Sequence, residues 1–162
     1  MSYSVDINEE YKKSKSKLLR YSLLFALVLA ATLVADTLLV VFSKENYTVN
    51  LVIAIVITSL FGWFAIYFFT IIYRDLNTRY RYFKGYESGV KAVEEVQFLG
   101  QDSELHYVNG LYVYPIHIRS YDGLKTVDKT IYVLNHDLGY KAYDRLTITT
   151  YQRILIESES HS

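Results

Sequence analysis

The sequence predicts a hairpin of two transmembrane α-helices followed by a small all-β domain, about five antiparallel strands folded as an OB- or SH3-like barrel. Three observations carry that expectation. Two uninterrupted apolar stretches stand close together in the first half of the chain, and basic residues flank the pair on its outer sides. From residue 93 onward, apolar and polar residues instead alternate between turn-forming dipeptides.

The first stretch, Tyr21 to Phe42, reads YSLLFALVLAATLVADTLLVVF, and a helix of that length spans roughly 33 Å, enough to cross a bilayer. Its only charge is Asp36. The second, Leu51 to Tyr73, reads LVIAIVITSLFGWFAIYFFTIIY and carries none. A core helix of a soluble protein needs an apolar stripe, whereas these segments are apolar all round. A cleaved signal peptide does not fit the first, because its apolar run exceeds the usual length of about 7–15 residues and a second span follows at once.

Orientation follows from Lys and Arg in the flanks, since cationic segments resist translocation. Residues 1–20 form a basic tail with Lys12, Lys13, Lys15, Lys17 and Arg20, and the second span is followed by Arg74, Arg79, Arg81 and Lys84. The loop between the spans, Ser43 to Asn50, has Lys44 alone. The expected protein is therefore a multi-pass protein of the cell membrane with both termini cytoplasmic. Asn46-Tyr47-Thr48 matches a glycosylation acceptor, but a loop this short holds it against the bilayer, and the triplet is read as a chance match.

Residues 74–92 read as a juxtamembrane linker. Arg74, Arg79, Arg81 and Lys84 alternate there with Tyr80, Tyr82 and Phe83, a basic aromatic belt suited to anionic lipid headgroups. Nucleic acid is not the expected partner. The chain has zero formal net charge, but residues 86–162 carry seven basic and eleven acidic side chains.

Within the β domain, residues 93–158, Asn109-Gly110 is a two-residue hairpin signal. It pairs Val108 with Leu111, Tyr107 with Tyr112 and His106 with Val113. Leu105, Tyr107, Tyr112, Tyr114, Ile116 and Ile118 then share one face, the expected core face, and His106, His117 and Arg119 lie on the other among Val108, Leu111 and Val113. Asp122-Gly123 predicts a second turn, with Ile118 opposite Val127 and a strand from Lys129 to Leu134. Asn135 to Tyr140 reads as a loop, Arg145 to Glu157 as a long bent strand or a tight hairpin, and residues 159–162 as a disordered tail.

Two spans followed by such a domain resemble the layout of short NfeD-like membrane proteins, whose soluble part is an OB fold. Bacterial PH-like domains tethered to paired spans are similar in layout too. The resemblance lies in layout, and no activity or residue is carried over from it.

Chemistry is sparse. The chain has no cysteine, which removes disulfides, thiolate metal sites and thiol catalysis. Asp102, Glu104, His106 and His117 contain the residue types of a shallow metal site, but alternating polar residues on a solvated hairpin face give the same pattern. His136-Asp137 reads as turn chemistry, and His161 lies in the tail. No nucleophile elbow or phosphate loop occurs, and Ser88 lacks the strand-to-helix setting an elbow requires. No catalytic, cofactor or metal residues are therefore expected.

Asp36 is the functional candidate, because an unpaired carboxylate in hydrocarbon is costly. Counting from the outer ends of the spans brings it near the depth of Thr58, which belongs to the small-residue stripe Ala54, Thr58, Gly62. The expectation is a hydrogen bond between Asp36 and Thr58 that sets the register of the hairpin. An ion or proton path in an oligomer, and a carboxylate reaching toward the headgroups, are the alternatives. For the whole chain the expectation is a non-enzymatic anchor, scaffold or accessory subunit that presents the β domain to a protein partner. An oligomeric transporter or channel subunit using Asp36, or a membrane immunity or stress protein, are the other readings.

Overall fold

A computed structural model describes residues 2–41, 47–122, 125–135 and 138–161. The chain divides into a helical unit, Lys12–Tyr80, and a β unit made of Met1–Tyr11 with Arg81–Ser162. The glycosylation triplet begins at Asn46 and the interspan loop holds Lys44; both residues lie outside the described ones, as do Gly123 and the pair His136-Asp137.

Four helical segments occur: α1 (Ile7–Val41), α2 (Tyr47–Tyr67), a π-helical stretch (Phe68–Tyr73) and α3 (Arg74–Gly85). Asp6 caps α1, its carboxylate accepting the Glu9 N–H at 3.0 Å, and Glu9 and Glu10 place negative charge in the first turn. Two helices are thus long and apolar enough to cross a membrane, and Leu23, Leu27, Leu33, Ile55, Leu60 and Ile66 are exposed on them. Their hydroxyls need no water: Thr32, Thr37, Ser59 and Thr70 each donate to the carbonyl four residues earlier. Phe25 of α1 packs against Phe61 and Phe64 of α2 and against Phe68 and Phe69 of the π-helical stretch, with ring centroids 4.5 to 6.0 Å apart.

The β unit holds seven strands: β1 (Ser2–Ser4), β2 (Ala92–Gln101), β3 (His106–Val108), β4 (Leu111–Asp122), β5 (Lys125–Val133), β6 (Arg145–Tyr151) and β7 (Ile154–His161). The sheet is mixed, where sequence patterning alone suggested about five antiparallel strands. β2, β4, β5, β7 and β6 pair in a ring, β1 adds to β7, and β3 adds to β4. All pairs are antiparallel except β5 with β7, which meet at a single parallel position, Tyr132↔Ile154. Residues 159–161, read from the sequence as a tail, complete β7, and residues 2–4 of the basic N-terminal segment are strand β1.

The Asn109-Gly110 turn has φ of 53° and 79°, as a type I′ turn requires, and the register is Val108↔Leu111, Tyr107↔Tyr112, His106↔Val113. The next hairpin is displaced from expectation: Asp122 faces Lys125, so Ile118 lies opposite Lys129 rather than Val127. A tight hairpin joins β6 and β7 through Gln152 and Arg153, both at positive φ.

Two cores explain which faces are buried. Inside the ring, Val96, Phe98, Ile116, Ile118, Ile131, Val133, Leu146, Ile148 and Leu155 pack together, with Leu138 from the segment after β5. A second core joins Leu111, Val113, Ile154 and Ile156 to Tyr82 and Phe83 of α3 and to Tyr151, with Ile7 and Tyr11 of α1 against it. The helix ends thereby cover the face of β4 that carries Leu111 and Val113. Leu105, Tyr107 and Tyr112, expected in the core, are exposed instead. Pro115 and Ile116 are adjacent and both buried, marking where β4 passes from lining the second core to lining the first.

Candidate functional site

In the helical unit, Thr58 of α2 donates a hydrogen bond to Oδ2 of Asp36 on α1 at 2.6 Å. This short charge-assisted bond ties the two helices at one level. The other carboxylate oxygen, Oδ1, is enclosed without a partner among the described residues. Ala54, one turn from Thr58, is buried, as close helix approach requires.

The four cations singled out after the second span fall on α3 but in different units. Arg74 is exposed and Arg79 half-buried in the helical unit; Arg81 and Lys84, both exposed, lie one turn apart in the β unit. Tyr82 and Phe83 between them turn inward to the second core, so these rings are structural and not available to headgroups. The Tyr82 hydroxyl donates to the Tyr151 carbonyl at 3.0 Å, and burial pushes its ionisation well above the usual tyrosine range, with Tyr151 and Tyr86 adding to the shift.

The histidines separate into pairs. His117 Nε2 lies 3.0 Å from Asp102 Oδ2 while its Nδ1 lies 3.3 Å from Thr130 Oγ1, so the ring is held at both nitrogens. His106 sits 4.0 Å from Glu104, and His161 bonds Thr147 at 2.6 Å. Among the described residues no three His, Cys, Asp or Glu side chains converge as metal ligands would.

The one concave surface that combines charge with open backbone lies on the β unit. A cleft of about 570 Å³ is bounded by Ala92 and Glu94 of β2, Lys129 to Tyr132 of β5, Thr150 of β6 and the Gln152-Arg153 turn. Glu94 and Lys129 pair across it at 2.8 Å. On the opposite face of β5, Asp128 receives two bonds from Arg119, at 2.7 and 3.0 Å. That guanidinium holds the Asp128 carboxyl below the usual carboxylate range, and the Arg119 ionisation is raised in turn. Sequence patterning did not single out this cleft: it arises where β5 leaves β7, and nothing in the local pattern of KTVDKTIYV announces that departure. With this geometry in hand, no protein-family model matches the chain, and no curated protein or solved structure shows significant similarity to it.

Proposed function

We propose that the protein is a small integral membrane protein that holds a cytosolic β domain at the bilayer and offers it to a protein partner. It acts as an anchor, scaffold or accessory subunit and does no chemistry of its own. The observation that carries this reading is the construction of the β unit. The chain enters and leaves the helical unit through α1 and α3, and the ends of both helices are core elements of the β unit. The domain is thus built around the chain's passage to the spans instead of hanging from a flexible linker. A closed small barrel of OB- or SH3-like kind is the fold we assign to the five-strand ring. The pairing of β1 with β7 supports placing both termini on one side of the membrane, and the cationic flanks make that side the cytoplasm.

The cleft supports the non-enzymatic reading, because its acid and base are already ion-paired and no buried nucleophile faces them. Affinity capture from native membranes tests the proposal. A partner recovered with the full chain should be recovered equally when the apolar span residues are replaced by an unrelated hairpin. Recovery that follows the spans and not the β unit would sink it. Crosslinking in membranes addresses the oligomeric transporter reading, which a monomer excludes.

A further inference from the structure

We infer that the open edge of β5 is a strand-addition site that takes an extended, acidic segment of a partner protein. This rests on the reading of the β domain as the partner-binding part and names where on it the partner lies.

β5 is paired with β4 over its whole length, from Asp122↔Lys125 to Tyr114↔Val133, but meets β7 only at Tyr132. There the Tyr132 N–H donates to the Arg153 carbonyl at 2.9 Å. Backbone polar groups change sides at each residue of a strand, so the N–H and C=O of Thr126, Asp128 and Thr130 face the same way as those of Tyr132. Among the described residues no strand meets them. Lys125 to Thr130 are all exposed, and β5 has neither a proline nor a break in its register with β4. Folded proteins usually blunt such an edge with prolines, bulges, charges or a covering segment. Here the guards are Lys125 and Lys129, and Lys129 is drawn aside to Glu94.

The edge opens onto the cleft, whose lining supplies the rest of the specificity. Ala92 and Ile131 are apolar, and Val127 stands on the same face of β5 as Ile131, so alternate side chains of an added strand meet apolar surface. Asp128 is taken by Arg119 and Glu94 by Lys129, which leaves Arg153 at the cleft and Lys125 on the edge without an ion-pair partner among the described side chains. An incoming carboxylate answers both.

The test uses the full chain in detergent micelles and two labelled synthetic peptides, one alternating valine with glutamate and one alternating valine with lysine. The glutamate peptide should bind at least about tenfold more tightly and slow amide exchange at Thr126, Asp128 and Thr130. Arg153→Glu should erase or invert that preference. The double variant Thr126→Pro with Thr130→Pro should abolish binding while leaving the melting curve in place, since those N–H groups make no bond to β4. Equal affinity for the two peptides, binding that survives the prolines, or no binding by either peptide overturns the proposal. So does a dimer of this chain that the prolines dissolve, which would assign the edge to a second copy. A membrane partner that needs the β domain but ignores the prolines would refute the edge alone. Loss of every partner from the β domain would refute the reading beneath it as well.

Discussion

Asp36 and Thr58 form the only side-chain hydrogen bond described between α1 and α2. In hydrocarbon neither group has water as an alternative partner, so their coupling is measurable where a surface pair's would not be. A double-mutant cycle with Asp36→Asn and Thr58→Val, read as helix-pair stability in a bilayer mimic, should give a coupling of about 1 kcal/mol. A value near zero would leave the pair incidental. Gly89 makes a different single-residue demand. A Cβ built there meets the Tyr151 ring at 2.2 Å and the Gly85 carbonyl at 2.8 Å. Gly89→Ala should therefore destabilise the β unit by about 1–3 kcal/mol, seen as an earlier midpoint in urea. An unchanged midpoint would mean that the segment after α3 does not press on Tyr151.

Among the elements, β1 is the shortest strand in the main ladder and carries the clearest pH signature. Tyr3 packs against the ring core, and burial pushes its ionisation up to about 12, with Leu134 opposing and Tyr140 adding to the shift. A phenol whose ionisation is raised by folding favours the neutral form in the native state. Its stabilising contribution is therefore complete below the ordinary value of about 10 and is lost as pH climbs toward about 12. Urea midpoints should fall more steeply over that window in the parent protein than in Tyr3→Phe. Parallel curves would mean that β1 is not held against β7. The two spans were legible because an apolar run needs no partner to be recognised, and Asn109-Gly110 was legible because a type I′ turn is encoded in two residues. The faces of β4 were not. Leu111-Tyr112-Val113-Tyr114-Pro115-Ile116 is apolar on both sides, so alternation cannot say which side is covered, and the answer lies in α3.

For the molecule as a whole, the sequence suggests that a fragment beginning near Glu87 should fold without detergent. The second core revises that expectation, since such a fragment lacks Tyr82, Phe83, Ile7 and Tyr11 and bares Leu111, Val113, Ile154 and Ile156. It should associate or precipitate. The pairing Ser2↔Glu159 brings the two ends of the β unit side by side. A rearranged chain running from Arg81 to Ser162 and then, through a short glycine-serine bridge, from Ser2 to Tyr11 should be soluble, monomeric and cooperative in melting. Aggregation of both would locate the missing support elsewhere. Of the candidate sites, Asp36 was visible as one charge in an apolar run. The β5 edge was not, because an unpaired edge is defined by the strand that fails to arrive, and that depends on where β7 starts.

The seat of β1 on β7 also dictates an order of events during synthesis. Residues 2–4 are among the first to leave the ribosome, and their partners, residues 157–159, are among the last. Contacts this far apart in sequence form slowly and cannot form at all until translation is nearly finished. By then the apolar helices have long since emerged and been committed to the bilayer. The first strand therefore waits as an unpaired segment while the hairpin inserts, and its later capture by β7 reports that the entire chain has been made.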